Sequence, residues 1–192
     1  MLEGFWAARQ VIKSFKNEVV TNLLPDVLLN YVEGMLGDRD TTGLLLPFAT
    51  EASWATERWG ALEKYTEMAT SEAGEDFNVS VGKALLALRR DRDPMIFTSS
   101  VRALRRQIAC SLSRSTTSSI GSFHDSMLKF HVLTELEMIA GTDSDDEIPR
   151  HQLIESLDRR LETIGAYLND KQYLLGIRRA AMQRSRFVLM YQ

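Results

Sequence analysis

The sequence predicts an all-α fold, a segment of a solenoid built from helical hairpins of the tetratricopeptide or HEAT type. Early in the chain, apolar residues recur at helical spacing, which places them on one stripe of a helix: Ala52, Ala55, Trp59 and Leu62. After a polar break at positions 71–76, the same spacing returns in a second set: Val81, Ala84, Leu85 and Leu88. A large ring facing small alanines lets the two helices of a hairpin approach closely. No part of the chain shows a convincing strand pattern.

Two helices are predicted before this hairpin, from Phe5 to about Asn22 and from Pro25 to Leu36. Proline is favoured at the first position of a helix, which supports the second start. Residues Gly37–Gly43 combine glycine with capping side chains and predict a turn. Pro47 then predicts the start of the helix that carries the first stripe. We expect Trp59 to be the packing centre of the chain, in contact with the second stripe.

Asp93 and Pro94 together indicate a helix start, an N-cap followed by proline at the first helical position. One face of that helix is apolar: Val101, Leu104 and Ile108. The Ser/Thr run at positions 111–119 predicts its end.

A long helix is predicted from Phe123 to about Ile139, and its apolar residues surround most of the circumference. We therefore expect it to be buried on several sides. An acidic loop at positions 143–147, closed by Pro149, follows. The next helix is indicated by four apolar residues: Leu157, Leu161, Ile164 and Leu168. Asn169 and Asp170 predict the cap of a last helix, whose apolar residues are Tyr173, Leu174, Ile177 and Ala181.

The composition is that of an ordinary folded protein and excludes several kinds of site. Of 192 residues, 44% are apolar and 26% are charged, which argues against disorder of the whole chain. The net charge of −3 gives no general attraction to nucleic acid or to an acidic membrane, and no apolar run is long enough to span a bilayer. The single cysteine, Cys110, excludes an internal disulfide and a multi-cysteine metal site. We expect its thiol to be buried beside Ile108 and Leu112.

No arrangement of residues predicts catalysis. The sequence has no glycine-rich phosphate loop and neither the catalytic nor the metal-binding motif of a kinase. His124 and His131 lie two turns apart on one helix, with Glu135 and Glu137 as the nearest further ligands. That set would hold zinc only in a poor geometry, so we expect structural or interfacial histidines. We predict no catalytic, cofactor-binding or metal-binding residue in this chain.

Six arginines flank the turn after the second stripe: Arg89, Arg90, Arg92, Arg102, Arg105 and Arg106. We favour a solvated hairpin tip paired with nearby acids such as Asp91 and Asp93, because surface ion pairs are common and contribute only about 0–1 kcal/mol. The alternative is a contact surface for an acidic partner. Interleaved aspartates and the lack of stacking aromatic residues argue against nucleic-acid binding.

Five blocks, taken in order, resemble the FAT region of the ATR-type checkpoint kinases, in a fungal form. They are EASW…W…LEKY, FNVSVGKALLALRRDRD, SFHDSMLKFHVLTELEMI, LIESLDRRLETI and YLLGIRRAAM, which together extend over roughly Leu44 to Met182. No single block is specific, and the resemblance rests on their order. These kinases are phosphatidylinositol 3-kinase-related Ser/Thr protein kinases of the DNA-damage response.

The resemblance implies three parts: loosely matching N-terminal helices at 1–43, a FAT-type helical repeat region at 44–182 and a divergent tail at 183–192. It implies a nuclear, non-catalytic scaffold that positions the kinase lobes of its parent protein. Its expected partners are that kinase domain, the flanking solenoid and, as a further candidate, a regulatory subunit, with no direct contact to nucleic acid or membrane. The alternative is a free-standing helical adaptor for protein–protein interaction.

Overall fold

The computed structural model of the chain describes residues 39–69, 76–90, 94–114, 120–141 and 150–186. These ranges hold seven α-helices and no strand, which confirms the all-α prediction. In chain order the helices are α1 (Arg39–Ala55), α2 (Trp59–Met68), α3 (Phe77–Arg90), α4 (Pro94–Arg114), α5 (Ile120–Gly141), α6 (Arg150–Thr163) and α7 (Leu168–Arg186). The two helices predicted between Phe5 and Leu36, and the acidic loop at 143–147 with Pro149, lie outside the described residues.

The helices pack as successive hairpins around α3. Helix α3 contacts α1, α2, α4 and α7, and α5 contacts α4, α6 and α7. Helix α7 also returns to lie against α1, the first helix of the described ranges. The predicted second stripe is buried, with Val81, Ala84, Leu85 and Leu88 all in the core. The face of α4 formed by Val101, Leu104 and Ile108 is buried as predicted.

Helix α3 begins where the sequence supplies a capping carboxylate. The Oδ1 atom of Asp76 accepts hydrogen bonds from the backbone N–H groups of Asn78, at 2.8 Å, and Val79, at 3.4 Å. These bonds satisfy two of the donors that the first turn of a helix leaves unpaired. Asp76 therefore fixes the position of the N-terminal end of α3.

The prediction of one continuous helix for the first stripe, which would carry Trp54 as well as Trp59, is wrong. Helix α1 ends at Ala55 in a Schellman motif, in which the N–H of Arg58 bonds to the carbonyl of Ser53 and the N–H of Glu57 bonds to that of Trp54. Glu57 takes the left-handed conformation that this motif requires, with φ of 65°. The break places the two tryptophans on different helices.

The predicted turn at Gly37–Gly43 and the predicted helix start at Pro47 are also wrong. Helix α1 already begins at Arg39, and Pro47 lies inside it. A proline within a helix removes one backbone hydrogen bond and costs about 3 kcal/mol or more. Leu45, Leu46 and Ala49 surround Pro47 in sequence and are all buried, so their burial offsets this cost.

Helix α4 ends at Arg114, inside the Ser/Thr run at 111–119 that predicts its end, and the rest of the run lies outside the described residues. Two further predictions need correction. Helix α6 ends at Thr163, because Gly165 adopts φ of 76° and turns the chain. Ile164 and Leu168 therefore do not extend α6, and Asn169 and Asp170 lie in the first turn of α7 rather than before it.

The long helix α5 follows the prediction only in its second half. Val132, Leu133, Leu136 and Ile139 are buried in the core. Phe123 and Met127, nearer its N-terminus, are 55% and 40% exposed. The all-round apolar pattern therefore describes a helix with one enclosed half and one half that presents apolar side chains to solvent.

Close approach of α3 to α1 and α2 depends on Gly82. A Cβ atom at this position would lie 2.5 Å from Cγ2 of Thr50 on α1 and 3.0 Å from Cδ1 of Leu62 on α2. Both distances are shorter than ordinary van der Waals contact between carbon atoms. The sequence predicts close approach at Ala52 and Ala55, whereas the tightest approach falls on this glycine.

Trp54, rather than Trp59, is the packing centre. The Trp54 side chain is 2% exposed and its ring meets that of Tyr173 edge-on, with centroids 5.8 Å apart. Trp59 is only partly buried at the margin of the core, and the guanidinium of Arg89 lies 4.5 Å from its ring centroid. The expectation that Trp59 organises the core is therefore wrong.

We expect Trp54→Ala to lower the free energy of unfolding by about 3–5 kcal/mol, because it removes a fully enclosed aromatic side chain. Trp59→Ala should cost distinctly less, since its ring already keeps part of its contact with water. Urea denaturation of the 192-residue chain, followed by circular dichroism, measures both. Equal losses, or a larger loss at Trp59, would contradict this assignment.

Candidate functional site

A cavity of about 880 Å³ opens between α1, α3, α5 and α7. A chain of hydrogen bonds crosses its wall: the Tyr173 hydroxyl donates to Oδ1 of Asn78 at 2.7 Å, and Nδ2 of Asn78 donates to Oε2 of Glu51 at 3.1 Å. Three helices therefore contribute one polar residue each to a single connected row. The row ties α1 to α7 through Asn78 of α3, and its bond between Tyr173 and Asn78 joins residues 95 positions apart.

The electrostatic environment of this cavity is negative. Burial raises the pKa of the Tyr173 hydroxyl well above its usual range, and the nearby carboxylates of Glu51, Asp76 and Asp125 raise that pKa further. Tyr173 therefore stays protonated and serves as a hydrogen-bond donor. Apolar side chains complete the lining, among them Trp54, and a Cβ atom added at Gly176 would lie only 3.2 Å from the Trp54 ring.

A second polar cluster, buried between α5, α6 and α7, is built on Glu135 and Arg178. The Nε and Nη2 atoms of Arg178 donate to the two carboxylate oxygens of Glu135 at 2.5 and 2.8 Å, in the two-pronged geometry favoured by guanidinium and carboxylate. Nη2 also donates to the backbone carbonyl of Leu157 on α6 at 2.5 Å. Glu135 is fully buried and Arg178 is 6% exposed. One arginine thus joins three helices.

Arg160 extends this cluster to His131. The Nε atom of Arg160 lies 3.9 Å from Oε1 of Glu135, and its Nη2 lies 3.1 Å from Nδ1 of His131. Because a guanidinium has no acceptor, Arg160 must donate, and Nδ1 of His131 carries no proton. Burial lowers the pKa of His131, the positive charge of Arg160 lowers it further, and Glu135 raises it in part. His131 is therefore held neutral.

His124 and His131, the two histidines considered as zinc ligands, contact different partners. Nε2 of His124 lies 2.5 Å from Oδ2 of Asp170 on α7, and its ring packs against Tyr167 at 4.6 Å between centroids. Glu137 instead pairs with Arg105, at 2.6 Å. Within the described ranges, no group of three or more histidine, cysteine, aspartate or glutamate residues could hold a metal ion.

Cys110 is exposed on α4, so the prediction of a buried thiol is wrong. The buried stripe of α4 passes through Leu104 and Ile108, and the next residue on that stripe is Leu112, which is partly buried. Cys110 is turned away from this stripe by its position in the helical repeat.

The predicted arginine cluster does not form one uniform surface. The guanidinium of Arg89 lies over the Trp59 ring, whereas Nη2 of Arg105 donates to Thr134 at 2.8 Å and to Glu137 at 2.6 Å on α5. Arg102 and Arg106 are exposed. The Arg90 side chain, together with Arg92, Asp91 and Asp93, lies outside the described residues. Arg105 therefore links α4 to α5. This contact differs from the prediction of a solvated hairpin tip that pairs only with nearby acids.

A family model described as FAT domain matches residues 46–188. The chain belongs to the FAT domain family. The match begins in α1 and extends beyond the end of α7, and the helices within it form the hairpin array described above. No curated protein and no solved structure matches the chain. None of the helices of this FAT domain within the described residues is long and apolar enough to cross a membrane.

FAT domains are the helical regions of phosphatidylinositol 3-kinase-related kinases, and this chain is a helical scaffold segment of that kind. Neither the cavity nor the buried ion pair was predicted from the sequence. The position of Glu135 among the buried leucines of α5 could have indicated the pair, because a carboxylate on an enclosed face needs a partner.

Loss of Arg178 should destabilise this FAT domain strongly. We expect Arg178→Met to lower the free energy of unfolding by about 3–5 kcal/mol, because it leaves the buried Glu135 carboxylate without its partner. The double variant Glu135→Met/Arg178→Met should recover most of that loss, since the fully buried carboxylate is removed together with its partner. Urea denaturation measures both variants.

Arg159→Met is the matched control, because Arg159 forms an exposed pair with Glu155 on α6. Its loss should change the free energy of unfolding by less than about 0.5 kcal/mol. An Arg178→Met effect as small as that of the control, or a double variant no more stable than the single one, would contradict a decisive role for the buried pair.

Acidification should destabilise the FAT domain through His131. The folded-state pKa of His131 lies below its usual value of about 6.5, so below that pH the unfolded chain binds more protons and the free energy of unfolding falls. We expect the Tm of the wild type to fall more between pH 7.5 and pH 5.5 than that of His131→Gln, which has no titratable group there. Differential scanning calorimetry at the two pH values measures this difference, and equal falls would refute it.

Proposed function

We propose that this FAT domain belongs to an ATR-type DNA-damage checkpoint Ser/Thr kinase, in which it positions the kinase lobes and partner subunits. Support comes from the family match over residues 46–188 and from the order of the five sequence blocks that resemble such kinases. The sequence blocks resemble fungal members, and a checkpoint role of this kind would be exercised in the nucleus, which we include in the proposal.

The observation that carries this proposal is the way α7 closes the array. A scaffold that positions another domain must resist bending between its attachment points. Helix α7 contacts α1, α3 and α5, and the Glu135–Arg178 pair and the Tyr173–Asn78–Glu51 row fix it at two places. Long-range links of this kind favour a rigid body over a flexible string of hairpins.

The proposed function acts through position alone. The kinase lobes would supply ATP binding and phosphoryl transfer, and this chain would set their mutual orientation. Reacting groups must be held in the right geometry, and a displacement of about 1 Å caused by a distant change can lower the turnover rate strongly. A weakened scaffold should therefore lower kcat while the lobes retain their own affinity for ATP.

The first experiment asks whether a kinase is attached. A tag inserted at the chromosomal locus within this coding region, followed by immunoblotting, reports the size of the natural polypeptide. We expect a very large protein, and mass spectrometry of the purified protein should identify kinase-domain peptides. A protein of about 22 kDa without such peptides would refute the kinase assignment and support the adaptor.

The second experiment tests the scaffold role in the natural protein. Arg178→Met in the full-length kinase should reduce kcat with little change in KM for ATP, whereas Arg159→Met on the surface of α6 should leave both unchanged. Limited proteolysis should show faster cleavage within the FAT domain of Arg178→Met. Unchanged kcat despite faster cleavage would contradict a positioning role.

A further inference from the structure

The cavity between α1, α3, α5 and α7 has the shape and chemistry of a binding site, and its use does not depend on the kinase assignment. Its volume of about 880 Å³ lies toward the upper end of the range of about 300–1,000 Å³ that ligand pockets occupy. Its walls come from helices distant in sequence, joined by the Tyr173–Asn78–Glu51 row. The cavity is therefore set by the tertiary fold and is largely formed before any ligand arrives.

Negative charge predominates in the lining. Four carboxylates line the cavity, those of Glu51, Asp76, Asp125 and Asp170, against the two cations of Lys129 and Arg179. Two of the acids lie against basic side chains, Asp125 at 2.6 Å from Nζ of Lys129 and Asp170 at 2.5 Å from Nε2 of His124. Nη2 of Arg179 donates to the carbonyl of Ala55, and the acids still outnumber the lysine and arginine of the lining by two. The cavity therefore favours a positively charged ligand.

Two of these carboxylates meet at one residue. The side chain of Asn78 donates to Glu51 at 3.1 Å, and its backbone N–H donates to Asp76 at 2.8 Å. Asn78 thus holds both acids at the same end of the cavity. Burial raises the pKa of the neighbouring Tyr173 hydroxyl, and the negative charges of these two acids raise that pKa further.

The rest of the wall suits a flat cation on an aliphatic stem. Trp54, Phe77, Leu128 and Leu175 line the cavity beside the acids. A guanidinium is planar, weakly hydrated and stacks on aromatic faces, whereas an ammonium is compact and strongly hydrated. The native structure already places a cation near one of these rings, since Nζ of Lys129 lies 5.5 Å from the Phe77 centroid.

We propose that this cavity binds an arginine-bearing segment of a protein partner, with the guanidinium at the Glu51–Asp76 end and neighbouring apolar side chains on the wall formed by Phe77 and Leu175. A polypeptide fits better than a free polyamine, because the apolar wall stabilises side chains that a hydrated polyamine lacks. Paired acidic and aromatic walls are the complement of an arginine anchor, a residue enriched among the strongest contacts of protein interfaces.

The test uses the complete 192-residue chain and two fluorescein-labelled pentapeptides, Gly-Leu-Arg-Leu-Gly and the same peptide with citrulline in place of arginine. Citrulline keeps the shape of the side chain and removes its charge. We expect saturable binding of the arginine peptide by fluorescence anisotropy, and at least tenfold weaker binding of the citrulline peptide. No saturation up to millimolar protein, or equal affinity for both peptides, would overturn the proposal.

The decisive variant is Glu51→Gln/Asp76→Asn. Glutamine keeps an oxygen that accepts from Asn78, and asparagine caps a helix as well as aspartate, so the fold should survive with two charges removed. We expect it to bind the arginine peptide at least tenfold more weakly, with a circular dichroism melt close to that of the wild type. Binding as tight as that of the wild type would overturn the proposal.

The control Glu155→Gln/Glu162→Gln removes the same charge from exposed positions on α6. Its affinity should stay within twofold of the wild type, and an equal loss would show general attraction to an acidic chain instead of a site. Competition with spermidine separates the two ligand classes. Displacement of the peptide by spermidine at concentrations matching the peptide Kd would overturn the assignment to a polypeptide.

Discussion

The arrangement of the C-terminal helices depends on one buried ion pair. A fully buried carboxylate is costly unless a partner compensates it, and Arg178 supplies that partner while also bonding to a carbonyl of α6. Only one relative placement of α5, α6 and α7 satisfies all of these groups. A purely apolar interface between the same helices would tolerate sliding and rotation, whereas this pair selects a single register.

The consequence reaches the opposite side of the molecule. Once α7 is fixed on α5, its Tyr173 meets Trp54 of α1 and Asn78 of α3. The array of hairpins is thereby linked between its first and last described helices. In an ordinary solenoid each repeat contacts only its neighbours, and stability is the sum of local terms. Here, a substitution that weakens the α5–α7 interface should also weaken the packing of α7 against α1.

Much of this fold follows from helical periodicity, and the errors have identifiable physical causes. The buried stripes of α3 and α4 follow from spacing alone, because apolar residues that recur every three to four positions must share a face. The break after Ala55 escaped prediction because Glu57 occupies a left-handed position usually taken by glycine, at a cost of roughly 1–2 kcal/mol. The break at Gly165 does have the usual glycine. It escaped prediction because Leu161, Ile164 and Leu168 on either side keep a helical spacing, which suggests that the helix continues.

The polar sites were harder to predict because they depend on tertiary register. Arg178 and Arg179 are adjacent and chemically identical, yet the first is buried against Glu135 and the second is exposed. About 100° of rotation around the helix separates them, and the apolar pattern of α7 does not fix its orientation that finely. The cavity joins residues from four helices, so no local pattern could have indicated it.

Gly82 couples the packing of α3 to the geometry of its end. At this point the helix lies so close to Thr50 and Leu62 that an added methyl group would displace the whole helix away from α1 and α2. Asp76 lies six residues away, about 9 Å along the axis, so a small tilt about Gly82 would be carried to the capping carboxylate and to Asn78. The absence of a side chain at one interior position thus sets the aperture of a cavity that the glycine itself does not line.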